Sequence, residues 1–250
     1  MATFTIYDRV AFDLDNFDLS ELADGESYLA TSTVFRVAYG GGAGDEFRGS
    51  GLQYDRNGYP TAGVVTAYDQ IDNGYLLQIS GMSIKAKDLG DAAKTSSTSD
   101  DRQVFIKALF GDDRFNGGAK GDHIQSYKGD DTLYGGEGRD TLEGGKGDDV
   151  FVFDTVITSK NVDVIDDFNW KADTIVLDHD IFSRAGDIGS PEKSAFHVGA
   201  KAHDGDDRII YAKRSGELLY DPDGDGNAKA KVFAMVDHDL GITHKDFEII

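Results

Sequence analysis

An aspartate recurs at every ninth position through the middle of the chain, with glycines at fixed distances before it. The five aspartates are Asp113, Asp122, Asp131, Asp140 and Asp149. Because glycine adopts backbone conformations that a Cβ atom forbids, a glycine-rich turn can gather several carbonyl oxygens around one carboxylate. Such hard oxygen ligands suit Ca²⁺, which takes six to eight oxygens at about 2.3–2.6 Å. The spacing therefore predicts calcium-binding turns.

Five nonapeptide units contain these aspartates at their sixth position. The eighth position is large and apolar in every unit, where the chain has Phe115, Ile124, Leu133, Leu142 and Phe151. Six residues of each unit would form a tight turn and three a short strand whose middle side chain points inward. One unit cannot bury that side chain alone, whereas stacked units bury a continuous ladder. A flexible acidic linker would have no reason to keep the apolar position.

The units resemble the nonapeptide of RTX proteins, Gly-Gly-x-Gly-x-Asp-x-apolar-x. The resemblance implies a parallel β-roll in which calcium lies between turns on the same side, hence between alternate units. It implies ions between Asp113 and Asp131, between Asp131 and Asp149, and between Asp122 and Asp140. The candidate metal-binding residues of the repeats are Gly111, Asp113, Gly117, Asp122, Gly129, Asp131, Gly135, Gly138, Asp140, Gly144, Gly147 and Asp149.

Some units depart from the RTX pattern. The first begins with Ala108-Leu109 and the third with Ser126-Tyr127 in place of Gly-Gly, and Lys120 replaces the fourth-position glycine of the second. We therefore expect the site between Asp131 and Asp149 to be better formed than the site between Asp113 and Asp131.

Residues 108–250 together resemble the C-terminal region of serralysin-like secreted proteases, in which a β-sandwich closes the roll. The matching segments include Phe151–Asp154, Asp163–Phe168 and Gly216–Asp221. The resemblance implies further calcium near Asp-rich turns, with Asp163, Asp166 and Asp173 as candidates. Asp221–Asn227 imitates the start of an EF-hand loop, but Val232 stands where the bidentate glutamate would be. This segment is predicted to be a hairpin turn.

No catalytic residue is predicted. The protease motif His-Glu-x-x-His and the hydrolase motif Gly-x-Ser-x-Gly are both missing from the sequence. We expect no metal at the histidines, which are His123, His179, His197, His203, His238 and His244.

Composition excludes several classes of function. The formal net charge is −21, which disfavours contact with nucleic-acid phosphates or an anionic membrane. The absence of cysteine excludes disulfides and thiolate metal sites. No segment has the apolar length of a membrane span, and the first thirty residues show no pattern of a cleavable N-terminal signal. The acidic and apolar segment Asp246–Ile250 resembles a C-terminal signal for type I secretion.

Residues 1 to about 85 predict an antiparallel sheet of five or six strands, with hairpin turns at Asp55–Gly58 and at residues 72–74. The segment 40–47 imitates a single nonapeptide but is predicted to be a glycine-rich hairpin turn. Residues 86–98 predict a loop or a frayed helix. A short helix with a capping box of Asp100 and Gln103 would follow and cap the roll.

The predicted fold is all-β: a parallel β-roll that continues into a C-terminal β-sandwich, with a separate antiparallel N-terminal domain. The predicted limits are 1–100 for that domain, 101–107 for a capping helix or linker, 108–152 for the roll and 153–250 for the sandwich.

The predicted function is that of a secreted or cell-surface calcium-binding protein. Its roll would fold on Ca²⁺ after bacterial type I export, with the type I secretion machinery as a partner. The N-terminal part would bind or adhere, with cell-surface or matrix polysaccharide as candidate ligand. Two alternatives stay open: an enzyme that acts on extracellular polysaccharide, and a structural calcium-binding surface protein.

Overall fold

The computed structural model describes residues 1–7, 19, 22, 25–72, 74–95 and 97–250. Asn73, in the predicted turn at 72–74, lies outside the described residues. Nearly all of the described elements are strands, which form two sheets, and two helices lie between the N-terminal strands and the repeats. The all-β prediction is confirmed.

Six antiparallel strands form the N-terminal part of the first sheet, as the alternating apolar pattern predicts. They are β1 (Thr3–Ile6), β2 (Ser27–Ala30), β3 (Val34–Gly40), β4 (Ala43–Tyr54), β5 (Pro60–Asp72) and β6 (Tyr75–Lys85). The segment 40–47 forms the β3–β4 hairpin, as predicted. Gly40, Gly41 and Gly42 have φ angles of 84°, 63° and 95°, which side chains with a Cβ rarely adopt.

Two helices follow, α1 (Ala86–Ala92) and α2 (Thr98–Ala108). The first occupies the segment expected to be a loop or a frayed helix. The second begins before Asp100, and its N-cap Ser97 makes no side-chain capping bond, so the predicted capping box does not form. Arg102 of α2 donates to Gln125 Oε1 at 3.0 Å and to the Tyr127 hydroxyl at 3.1 Å. The helix thus packs against the repeats.

Each repeat contributes one short strand. These strands are β7 (Arg114–Asn116), β8 (His123–Gln125), β9 (Thr132–Tyr134), β10 (Thr141–Glu143) and β11 (Val150–Phe153). Odd-numbered repeat strands pair in parallel in one sheet, and β8 pairs with β10 in the other. The eighth-position side chains are all at most 2% exposed. The predicted roll of six-residue turns and three-residue strands is confirmed.

The region after residue 153 continues both sheets of the roll. Its strands are β12 (Asp163–Ile165), β13 (Thr174–Leu177), β14 (Phe196–Val198), β15 (Ile209–Ala212), β16 (Glu217–Tyr220), β17 (Lys231–Met235) and β18 (Phe247–Ile249). One sheet runs β18-β13-β11-β9-β7-β1-β6-β5-β4-β3-β2, and the other runs β14-β15-β16-β17-β12-β10-β8. In the first sheet, β13 pairs in parallel with β11 and β18. In the second sheet, β12 pairs in parallel with β10 and β17. Strand β16 pairs antiparallel with both β15 and β17.

The N-terminal strands differ from the expected separate domain, because they extend the same sheet as the roll. Strand β1 pairs antiparallel with β6 and parallel with β7. The Phe4 ring stacks on Phe115 with 4.6 Å between ring centroids. Because the last rung of a stacked apolar ladder would otherwise face water, β1 supplies the neighbour that buries it. The limits at 100, 107 and 152 stay predictions.

No helix within the described part of the chain has the length and apolar character needed to cross a membrane.

The continuous sheet predicts that the N-terminal strands and the roll unfold together. Phe4→Ala removes a ring that is 1% exposed, so we expect the free energy of unfolding in calcium to fall by about 3–5 kcal/mol. Trp170 is the only tryptophan and lies in the turn before β13, so its fluorescence reports on a region far from Phe4. In urea, Phe4→Ala should move the Trp170 transition and the far-ultraviolet circular dichroism transition by the same amount.

The control is Thr5→Ala, whose half-buried side chain lies on the opposite face of β1. If the urea transition of Trp170 is the same in Phe4→Ala as in the wild type, the N-terminal strands unfold as a separate domain.

Candidate metal centre

Four aspartates form a ladder along one side of the roll. The backbone N–H of Asp113 donates to Asp131 Oδ1 at 2.7 Å, and that of Asp131 donates to Asp149 Oδ1 at 2.9 Å. The N–H of Asp149 donates in turn to Asp173 Oδ1 at 3.1 Å. Ala2 N–H donates to Asp113 Oδ1 and closes the ladder at the N-terminal strand. Each carboxylate is thus held beside the preceding turn.

A second ladder lies on the other side. The N–H of Asp122 donates to Asp140 Oδ1 at 2.8 Å, and that of Asp140 donates to Asp163 Oδ1 at 3.0 Å. All three carboxylates belong to side chains that are at most 3% exposed. The alternate-unit stacking expected from the sequence is therefore present on both sides.

Three carboxylate oxygens in these ladders are buried without a hydrogen-bond partner: Oδ2 of Asp113, Asp131 and Asp140. In the described part of the chain, no lysine, arginine or histidine lies within 4.0 Å of Asp131 or Asp140. Burying a charge without a partner is strongly unfavourable. Asp131 and Asp140, in the middle of the two ladders, thus lack a positively charged partner, which a cation between the turns would supply.

The glycines let the turns approach closely. Gly111, Gly129, Gly138 and Gly147 occupy the fourth position with φ angles between 128° and 147°. A Cβ atom on Gly147 would clash with the carbonyl of Gly129, one turn away on the same side. The turns therefore crowd carbonyl oxygens beside the carboxylates, which is the donor set that Ca²⁺ prefers.

A family model described as the RTX calcium-binding nonapeptide repeat, in four copies, matches residues 108–142 and 116–151. Residues 108–151 are RTX calcium-binding repeats. Calcium is accordingly the cofactor of this segment. The family match and the partnerless buried oxygens agree on a cation between the turns of the RTX roll.

One solved structure with a similar chain is the solution structure of the AlgE6R3 subunit from the Azotobacter vinelandii mannuronan C5-epimerase. It has 22% sequence identity and a TM-score of 0.38, and the match covers 55% of this chain and 73% of that one. No curated protein matches the chain.

The predicted site residues fall into three groups. Asp113, Asp122, Asp131, Asp140 and Asp149 lie in the two ladders. The unit-opening glycines lie against the carboxylates: a Cβ atom would be 2.6 Å from Asp140 Oδ2 on Gly135 and 2.5 Å from Asp149 Oδ2 on Gly144. On Gly117 it would clash with the carbonyl of Gly135. The third group is the fourth-position glycines described above.

Asp163 and Asp173 extend the ladders of the RTX roll, although the sequence suggested a site in the C-terminal sandwich. Asp166 is exposed and lies outside both ladders. Its neighbour Asp167, which the sequence analysis missed, accepts the backbone N–H groups of Gly144 at 3.0 Å and Gly145 at 2.8 Å. Two adjacent aspartates after a strand gave no signal for choosing between them.

A further row of fifth-position aspartates was also missed. Asp130 N–H donates to Asp112 Oδ1 at 3.0 Å, and Asp148 N–H donates to Asp130 Oδ1 at 3.0 Å. Their spacing of eighteen residues was visible in the sequence. This exposed row places more negative charge on the side that holds the longer ladder.

The departures from the RTX pattern have structural consequences. Tyr127, at the second position of the third unit, has a φ of 70°, a region that glycine occupies at the same position in the fourth and fifth units. Lys120 does not have the positive φ of the other fourth-position residues, so the turn of the second unit differs in shape.

The segment 221–227 joins the antiparallel strands β16 and β17, as the predicted hairpin turn does.

Burial raises the pKa of Asp131, Asp140, Asp149 and Asp163, and like charge from neighbouring aspartates raises it further at the first three. The pKa of Asp131 rises to about 7 and that of Asp140 to about 8. The pKa values of Asp149 and Asp163 rise to about 6. In the absence of cations, the stacked carboxyls therefore hold protons that an unfolded chain would release.

These pKa shifts predict opposite effects of pH with and without calcium. In a calcium chelator the folded chain binds more protons than the unfolded chain between about pH 4 and pH 8, so the free energy of unfolding should fall as pH rises through that range. In excess calcium, protons compete with the ion, so the stabilisation by calcium should grow with pH. The folded fraction of the chelated chain, from circular dichroism, and the urea midpoint in calcium, each at several pH values between 5 and 8, measure the two effects.

In chelator, Asp140→Asn should weaken the dependence of stability on pH above pH 6, and Asp166→Asn should leave that dependence unchanged. Because both variants remove one carboxyl group from the chain, the pair separates the effect of the buried carboxyl from that of an exposed one. A chelated wild-type chain whose folded fraction rises from pH 5 to pH 8 would contradict the assignment.

Proposed function

We propose that the RTX roll is a calcium-driven folding switch in an exported protein. The observation that carries the proposal is the pair of ladders of buried aspartates, whose Oδ2 atoms lack partners at Asp113, Asp131 and Asp140. Without a cation, folding must bring these like charges together and remove them from water. With calcium bound between the turns, the same carboxylates become ligands.

Calcium concentration sets the direction of this switch. An ion that binds only the folded chain stabilises it by RT ln(1 + [L]/Kd). Extracellular calcium modules bind with Kd values of about 10⁻⁴–10⁻³ M, so the roll folds in a calcium-rich exterior and stays open where free calcium is scarce. Because several ions bind along the two ladders, folding depends steeply on the calcium concentration.

Export by the type I machinery fits this switch. The segment that resembles the secretion signal contains β18, which pairs with β13 in the folded chain. Phe247 and Ile249 are at most 1% exposed there, so the segment is accessible to another protein only before the sheet forms. A chain kept open by low calcium would present it.

The N-terminal strands would act as the extracellular binding module. Among the described strands, β2 is the last of the eleven-stranded sheet, and all four of its residues are exposed. Tyr28 is 51% exposed there, and an exposed aromatic side chain is of the kind on which sugars pack. The net charge of −21 favours a neutral polysaccharide over an acidic one.

The folding switch predicts a calcium-dependent change in the whole chain. Adding Ca²⁺ to the chelated protein should increase β-type circular dichroism and reduce the hydrodynamic radius, and an equal concentration of Mg²⁺ should not. Asp131→Asn removes a carboxylate shared by two candidate sites, so we expect its calcium midpoint to rise about tenfold or more, the range expected when a metal's surroundings are altered.

The matched control is Asp166→Asn, which carries the same change at an exposed aspartate and should keep the wild-type midpoint. If the circular dichroism spectrum and the hydrodynamic radius do not change on chelation, the proposal is wrong.

The adhesion proposal is tested on the full chain in calcium, because β1 joins the N-terminal strands to the roll. A column of neutral polysaccharide should retain the wild type, and Tyr28→Ala should elute earlier. Trp170→Ala, which truncates a partly exposed aromatic elsewhere, should elute with the wild type. The polymer should keep its length. Shortening of the polymer would indicate an enzyme instead, and no retention would contradict adhesion.

A further inference from the structure

A cluster of histidine and aspartate side chains lies outside the RTX ladders, in the turn before β15. One potential ligand atom from each of His203, Asp204 and Asp207 falls within 4.8 Å of the other two. His203 Nδ1 is 3.4 Å from Asp204 Oδ2. His197, on the neighbouring strand β14, places Nδ1 at 3.8 Å from Asp207 Oδ2.

The turn that holds the cluster is built like a turn of the roll. Residues 202–210 match the nonapeptide at its fourth, sixth and eighth positions, with Gly205, Asp207 and the buried Ile209. Asp207 Oδ2 accepts the N–H of His203, four residues earlier, at 2.6 Å.

The same bond occurs within the ladders. Asp122 Oδ2 accepts from Gly118 at 2.9 Å, and Asp173 Oδ2 accepts from Asn169 at 2.8 Å. The backbone of the 203–207 turn therefore presents its aspartate as a ladder turn does.

The neighbouring side chains distinguish this turn from the others. In the ladders, the next turn on the same side supplies a further carboxylate. Here β14 supplies His197 instead, and its ring stacks on His203 with 5.6 Å between centroids and 16° between planes. The site thus combines imidazole nitrogens with carboxylate oxygens.

This donor set and its spacing favour a different metal. Tetrahedral Zn²⁺ binds nitrogen and carboxylate oxygen at about 2.0–2.2 Å, which separates ligand atoms by about 3.3–3.6 Å. The His203–Asp204 distance falls in that range and the His197–Asp207 distance is slightly longer. Calcium, in contrast, requires six to eight oxygens.

We propose that His203, Asp204 and Asp207, with His197 beside them, bind a transition-metal ion of the Zn²⁺ class. The site is open to solvent, because the His203 and Asp204 side chains are 74% and 57% exposed, whereas that of Asp207 is 6% exposed. The hairpin after β16 holds the turn in place, since Asp225 N–H donates to the Asp204 carbonyl at 3.0 Å. An ion there would join β14 to the turn before β15. From the sequence alone, no metal was expected at these histidines.

The test uses the full chain saturated with calcium, so that Zn²⁺ does not enter the ladders. Isothermal titration with Zn²⁺ should show one site per chain. Co²⁺ at the same site should give the intense visible absorption of tetrahedral coordination. His203→Ala and His197→Ala should each weaken Zn²⁺ binding at least tenfold while circular dichroism in calcium stays unchanged.

The chain provides a matched control in His238, whose Nδ1 lies 3.2 Å from Asp239 Oδ2 with both side chains similarly exposed. That pair has no second histidine stacked on it among the described contacts. His238→Ala should bind Zn²⁺ as the wild type does. The proposal is overturned if the wild type takes up no Zn²⁺, if His238→Ala and His203→Ala weaken binding equally, or if Co²⁺ gives only the weak absorption of octahedral coordination.

Discussion

The structure depends on stacked carboxylates that lie close to one another and away from water. In each ladder, a backbone N–H satisfies Oδ1 of the next aspartate, and Oδ2 of Asp113, Asp131 and Asp140 remains buried without a partner. Burial and like charge raise the pKa of these carboxyls. The roll can hold this arrangement only when protons or cations offset the charge, so its folding is linked to the ions around it.

Between the two ladders runs an apolar ladder that crosses the first sheet from its N-terminal to its C-terminal strands. Directly paired residues along it are Phe4, Phe115, Leu133, Phe151, Ile175 and Phe247. All are at most 2% exposed. Because each rung is buried only by its neighbours, loss of the central turns would also expose β1 and β18. The calcium-dependent roll is therefore coupled to the strands on either side.

The 203–207 turn shows how one turn type can serve different ions. The aspartate and the N–H that it accepts are arranged as in the roll, and the residues packed against the turn change the donor set from oxygen alone to oxygen and nitrogen. The backbone supplies the geometry of the carboxylate, while the neighbouring strand determines which metal fits.

The nonapeptide spacing by itself determined the roll, because the eighteen-residue periodicity leaves one arrangement in which every eighth-position side chain is buried. It also determined which aspartates stack, from Asp113 to Asp149. The place of Asp163 and Asp173 was decided by the tertiary structure, since insertions break the nine-residue step before each of them. So was the junction of β1 with β7, whose partners are more than 100 residues apart. The approach of His197 to His203 likewise depends on the parallel pairing of β14 with β15, which no local pattern specifies.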